Sequence, residues 1–228
     1  MKAFLQSTVF ALIYISFSFA QNPLINNPSV SPNGTELAFN YQGDIWVAGI
    51  NGNNARRLTV HEAYDTNPLW SHDGKSIAFQ SNRYGNSDIF IISSEGGLPK
   101  RITFHSASDV LTDYTADGNI IFLTRRDFAQ VEREYETHIV SNDGGTPARY
   151  MNTVGFDSKL SPNGKFIVFV KGNCRIQREA YRGPANRNIW LYDIAKDAYM
   201  QLTTYDGNDF YPQWGFLRFC RLKTRQRR

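Results

Sequence analysis

Acid–base or nucleophilic chemistry needs a side chain that titrates near neutral pH beside a nucleophile, and this chain of 228 residues offers few candidates. Histidine occurs four times, as His61, His72, His105 and His138. A serine on a strained strand-to-helix turn would read Gly-x-Ser-x-Gly, and no such run is present. His61 and His105 each follow a Leu-Thr or Ile-Thr pair by two residues, so they fill one place in two related segments and point to one structural task. His72 stands where related segments carry Pro32 and Pro162, and His138 stands at an aromatic strand position. No two histidines have helical ligand spacing, Cys174 has no cysteine nearby, and no Gly-rich phosphate loop opens a helix. These residues predict no catalytic centre, no metal site and no cofactor.

Binding chemistry is better supplied. The stretches 125–136 and 171–187 carry Arg125, Arg126, Arg133, Arg175, Arg178, Arg182 and Arg187, interleaved with Glu132, Glu134, Glu136 and Glu179. Guanidinium forks match carboxylates in a bidentate way, so one reading is a lip that grips peptide C-termini. The other is a solvated loop with local ion pairs, each worth under about 1 kcal/mol. Asp65, Asp109 and Asp209 recur three residues before Pro68, Thr112 and Pro212. They either ring a channel mouth and hold a cation or cap turns through nearby backbone N–H groups.

What positions these residues is a repeat. Pro28-Ser29-Val30-Ser31-Pro32-Asn33-Gly34-Thr35-Glu36-Leu37-Ala38-Phe39 is matched by Pro68-Leu69-Trp70-Ser71-His72-Asp73-Gly74-Lys75-Ser76-Ile77-Ala78-Phe79. Weaker copies run from Tyr114 to Phe122 and from Leu160 to Phe169, which places the turn glycines at 34, 74, 118 and 164. Asn-Gly and Asp-Gly between alternating apolar residues mark hairpins, because the tight turn needs φ > 0. Each unit continues with a strand opening on a polar residue (Asp44, Asp88, Glu136, Asn188), and most close on Leu-Thr or Ile-Thr, at Thr59, Thr103 and Thr203. Four short strands per 40 to 46 residues make one propeller blade. A β-sandwich has strands at similar spacing but does not repeat a twelve-residue motif. The expected fold is all-β: an incomplete β-propeller of four-stranded blades, with four blades and the first strand of a fifth. The connections between second and third strands share a face with those joining blades. Residues 125–136 and 171–187 lengthen that face, where binding insertions gather.

The units resemble TolB-type, WD-like propeller repeats, whose signature reads roughly P-x-W-S-P-D-G-K-x-I-A-F. Longer stretches resemble the N-terminal propeller of Tricorn-type proteases: Tyr64 to Ser71 continued by Ser81 to Asn86, Arg101 to Asp109, Arg178 to Leu191, and Gly207 to Trp214. The resemblance covers about 24–215. It implies a multidomain peptidase in which propellers precede a PDZ-like and a serine peptidase domain, so this chain corresponds to a non-catalytic front end that guides or binds peptide. The alternatives are a free-standing TolB-like scaffold binding other envelope proteins and, less well supported, a propeller preceding a prolyl-oligopeptidase-type hydrolase.

Lys2, the apolar run Val9 to Ile15 and Ser18-Phe19-Ala20 make a secretory signal over 1–20, giving a mature chain from Gln21 in the periplasm or outside the cell. An N-terminal anchor is the rival reading, but the run is shorter than the roughly 20 residues that span a bilayer, so no stable membrane insertion is expected. Two cysteines, Cys174 and Cys220, are too few for a disulfide scaffold. The formal charge of +4 comes from residues 216–228, which hold six basic residues and no acid. Without them and Lys2, acidic residues outnumber basic ones, which argues against a nucleic-acid partner. The propeller is therefore expected over 21–215. The tail 216–228 breaks the repeat pattern after Pro212-Gln213-Trp214-Gly215, as a shift of reading frame would.

Overall fold

Each Ser-x-Asn-Gly or Ser-x-Asp-Gly run folds as a tight turn in which side chains bond backbone groups. In the computed structural model, which describes residues 24–127, 134–175, 183–204 and 207–215 and the backbone of 218–222, Ser71 Oγ donates to Asp73 Oδ1 at 2.6 Å and accepts from the Ser76 amide at 3.1 Å. Asp73 Oδ1 also accepts from the Lys75 amide at 3.0 Å. Ser31 with Asn33 and Ser161 with Asn163 repeat the arrangement, each pair at 2.7 Å. Thr115 replaces the serine in the third repeat, accepting from the Asn119 amide at 2.8 Å. The turn glycines Gly34, Gly74, Gly118 and Gly164 have φ of 74°, 70°, 85° and 69°, a region that strains any residue with a Cβ.

Between the turns the chain forms four antiparallel blades. The first holds β1 (Asn26–Val30), β2 (Glu36–Tyr41), β3 (Asp44–Gly49) and β4 (Arg56–Arg57). The second holds β5 (Asp65–Trp70), β6 (Ser76–Ser81), β7 (Asp88–Ser93) and β8 (Lys100–Arg101). The third holds β9 (Val110–Tyr114), β10 (Ile120–Thr124), β11 (Glu136–Val140) and β12 (Ala148–Val154). The fourth holds β13 (Phe156–Leu160), β14 (Phe166–Lys171), β15 (Asn188–Asp193) and β16 (Ala198–Gln201). In each sheet, strand order follows chain order. The fifth repeat contributes its first strand, β17 (Asn208–Gln213), and part of the tail pairs with it as β18 (Arg218–Leu222), with Gly215 at φ 129° in the connection. Separate four-stranded sheets, rather than two facing ones, replace the sandwich alternative. The export signal over 1–20 lies outside the described residues.

Alternation along the strands gives each blade two apolar faces, and the core is the set of joints between them. Ile77, Phe79, Phe90 and Ile92 of the second blade, with Trp70, pack on Ala38, Ile45, Val47 and Leu58 of the first. The opposite face of the second blade, Ala78, Ile89 and Ile102, packs on Leu111, Tyr114, Ile120, Phe122 and Val140 of the third. Large side chains on one face thus meet small or β-branched ones on the next. Full burial of one Phe or Ile contributes about 1.5–3 kcal/mol, so stacking supplies most of the fold's stability.

Hydrogen bonds lock the outer half of the first, second and fourth blades. Thr59, Thr103 and Thr203 present Oγ1 to the amides of Ile45, Ile89 and Ile189 at 2.9, 3.0 and 2.9 Å. This is the task of the closing Leu-Thr and Ile-Thr pairs. Asp44 and Asp88, which open the third strands, hold Arg57 and Arg101, the latter at 2.7 Å. Sequence reading missed these two pairs, although their signal is a constant spacing of 13 residues that recurs as Asn188 and Gln201.

Candidate functional site

The connections between blades and those between second and third strands meet on one face. The Asp65 amide donates to Gly43 O, Asp109 to Ser87 O and Gly155 to Tyr135 O, each at 2.8 Å, and Asp209 to Arg187 O at 2.9 Å. The described ends of the two expected insertions therefore lie on this face. Among the described arginines and acids read from the sequence, most are engaged within the chain.

Asp109 is fully buried, and Arg126 Nη2 donates to both its carboxylate oxygens at 2.8 Å. Asp65 is equally buried and takes Arg83 through Nη2 at 2.6 Å and Nε at 3.4 Å. In the fourth blade, the strand register puts Gly155 and Asn173 at these two places. No acid would fit at 155, because a Cβ there would lie 2.6 Å from the Phe169 ring and 2.8 Å from Val170 O. Asp209 occupies the same point of the fifth repeat and is also buried. The Arg125 guanidinium lies 4.3 Å from the Tyr135 ring centroid. That of Arg187 sits between Phe156 and Phe210, at 4.6 and 5.1 Å. Arg175 is exposed, and Arg133, Arg178 and Arg182 lie outside the described residues.

The histidines hold local structure. His61 Nδ1 accepts from the Ala63 amide at 2.9 Å, and His105 Nδ1 from Ala107 at 3.0 Å, the shared task expected of repeat-equivalent positions. His72 Nε2 lies 3.1 Å from Tyr114 O, bridging the second and third blades. His138 Nε2 lies 3.2 Å from Asp127 Oδ2, and the ligand-capable atoms of Asp127, Glu136 and His138 fall within 4.8 Å of one another. A cation bound through Nε2 would leave the ring proton on Nδ1, which is buried and has no hydrogen-bond partner among the described residues. A ligating imidazole almost always donates that second N–H. The cluster therefore suits a neutral His138 donating to Asp127 better than a metal ion.

Burial pushes His138 below its ordinary value of 6.5, outweighing the upward pull of Asp127. Below 6.5 the unfolded chain binds a proton that the folded chain does not, so stability falls as pH drops from 6.5 toward the lowered value. The other blades carry Trp46, Phe90 and Trp190 at this place. His138→Phe is expected to flatten the slope: in urea titrations at pH 7 and pH 5 the variant loses less stability than the wild type. Equal losses would contradict this assignment.

A crevice of about 520 Å³ opens on the same face between the third and fourth blades. Val154, at the end of β12, lies on one side, with Lys171, Asn188 and Trp190 of the fourth blade and Asn173 and Asn186 of its insertion on the other. Its shape depends on Gly172, at φ 121°, where a Cβ would lie 2.1 Å from Asn186 O. The two arms of the insertion cross here, tied by Cys174 N to Ala185 O at 2.9 Å. The Lys171 ammonium lies 5.1 Å from the Trp190 ring centroid.

Comparison with known proteins places this architecture. The family model for the Tricorn protease N-terminal beta propeller domain matches residues 22–218. Tricorn protease homolog 1 of Streptomyces coelicolor is 26% identical over 185 residues, which is 80% of this chain and 17% of that protein. A TolB homolog of Chlorobium luteolum is 36% identical over 58 residues, 25% of this chain and 13% of that protein. Among solved structures, the tricorn protease superposes with a TM-score of 0.68 at 20% identity, over 84% of this chain and 19% of that one. A TolB from Agrobacterium tumefaciens also gives 0.68, at 21% identity, over 83% of this chain and 65% of that one. The chain thus spans less than a fifth of the length of the two Tricorn proteins it matches.

Proposed function

The chain belongs to the Tricorn protease N-terminal β-propeller family, and from that premise we propose that it is the non-catalytic front end of an exported Tricorn-like serine peptidase, binding or guiding peptide substrates. The observation that carries the reading is the single face on which blade connections, insertions and the crevice between the third and fourth blades come together. Among the described residues the histidines pair with backbone groups or with the Asp127 carboxylate, and the sequence carries no Gly-x-Ser-x-Gly elbow to set a nucleophile beside them, which supports the non-catalytic reading. The apolar run and Ser18-Phe19-Ala20 support action outside the cytoplasm, on a mature chain from Gln21.

The test incubates the purified chain with a tryptic digest of casein and follows the peptides by mass spectrometry. The expected result is that a subset co-purifies with the chain and every peptide is recovered intact. Turnover that survives purification and is lost on replacing one of the four histidines would overturn the non-catalytic assignment. Failure of every peptide to co-purify would overturn the binding assignment.

A further inference from the structure

The crevice between the third and fourth blades is lined by amide side chains, two of whose acceptors find no partner among the described residues. Asn186 is 8% exposed, and its Oδ1 is one of them. Asn188 Oδ1, two residues on, is also buried and unpartnered. Asn173 adds a third amide to the lining, and Trp190 an aromatic surface. A buried acceptor without a donor is unfavourable, and native proteins leave few of them. The backbone N–H of Asn186 donates to Gly183 O at 3.0 Å. The crossing arms at Gly172 hold this wall close, so the cluster is built by the fold rather than gathered on a free loop.

We propose that this crevice binds an extended peptide segment by its backbone, with Asn186 and Asn188 pairing their amides with peptide N–H and C=O groups while a ligand side chain packs on Trp190. An asparagine amide carries a C=O acceptor and two N–H donors, so it can pair with both the N–H and the C=O of a peptide backbone whatever the sequence of side chains. The terminal amide torsion is soft, and a small rotation turns either oxygen toward an arriving N–H. The Nδ2 of Asn188 lies 3.4 Å from Asn186 O, a long bond that offers little resistance. Lys171 and Glu134 bring one charge of each sign to the lining, so neither acidic nor basic ligand side chains are selected. The inference rests on the peptide-binding reading above and gives it a place and a mode.

The experiment uses the full chain and a fluorescein-labelled, N-acetylated, C-amidated eight-residue peptide of Ala, Ser and Val, read by anisotropy. A second probe has the same sequence with alternate backbone nitrogens methylated. Methylation removes N–H donors without adding charge and is expected to weaken binding about tenfold. Asn186→Leu and Asn188→Leu are each expected to weaken the unmodified probe by a similar factor, while exchanging one Ser for Lys or Glu changes affinity little. The methylated probe is tested on wild-type protein, so the result stands even where a variant fails to fold. If the unmodified probe binds and neither methylation nor the substitutions weaken it, the crevice assignment falls and the peptide-binding reading survives. If neither probe binds, both fall.

Discussion

Asp109→Ala is expected to destabilise the chain by about 3–5 kcal/mol, because it strands a buried guanidinium. Arg126 is 11% exposed and meets a carboxylate with no exposure, through two bonds of 2.8 Å. Among the described residues it also meets the Thr124 hydroxyl at 3.4 Å and the Phe122 ring at 5.1 Å. Without the acid, that charge must either stay unpaired or drag its loop into water. A loss of this size lowers Tm by about 10 °C in a domain of this length. The double variant Asp109→Leu with Arg126→Met removes both charges and is expected to cost much less, since an apolar pair of similar volume can replace a buried ion pair. Thermal unfolding of the single and double variants decides the matter. A single variant within 1 kcal/mol of wild type would show that the pair is not buried in solution.

The second large effect is a contrast between equivalent residues. Phe90 on β7 and Trp46 on β3 face their second-strand partners Phe79 and Phe39 in the same register. Phe90 is 3% exposed in the joint with the first blade. Trp46, with Leu37, Phe39, Ala48 and Ile50, lines an apolar cavity of about 310 Å³ on the outer face of the first blade, where none of the described blades stacks. Ile50 on that face is 54% exposed. Phe90→Ala is expected to cost about 3–5 kcal/mol, the usual price of emptying a buried aromatic site. Trp46→Ala should cost far less and should also reduce self-association, because a contiguous exposed apolar patch drives proteins together. Urea titration measures the first quantity and sedimentation velocity the second. Equal destabilisation by the two variants would mean that the outer face is covered within the chain.

The turns and blade faces were legible in the sequence because both follow local rules. Left-handed φ at Asn-Gly or Asp-Gly needs glycine, and a strand half-buried on each side alternates with a period of two. Other features depend on partners distant in sequence. Asn27, Asn67, Asp157 and Tyr211 take φ near 50° where the first strand slips against the second. Three of the four precede a proline, which lacks the N–H a regular ladder would use, and this local signal went unread. Arg126 read as part of an open lip because spacing places a residue on a face without naming its partner. Asp109, 17 residues earlier, and Asp65, 18 before Arg83, were the clue. The unused acceptors at Asn186 and Asn188 had no sequence signature. They arise from the crossing of two loop arms at Gly172, where separation along the chain says nothing of approach in space.

The claim that peptide engages the face carrying the blade connections is tested most directly by hydrogen exchange of the chain with and without the blocked eight-residue peptide. The account predicts slowed exchange in 171–175 and 183–190, with the opposite turns at 33–35, 73–75 and 163–165 unchanged. Slowed exchange confined to those opposite turns, or no change anywhere at saturating peptide, would contradict it.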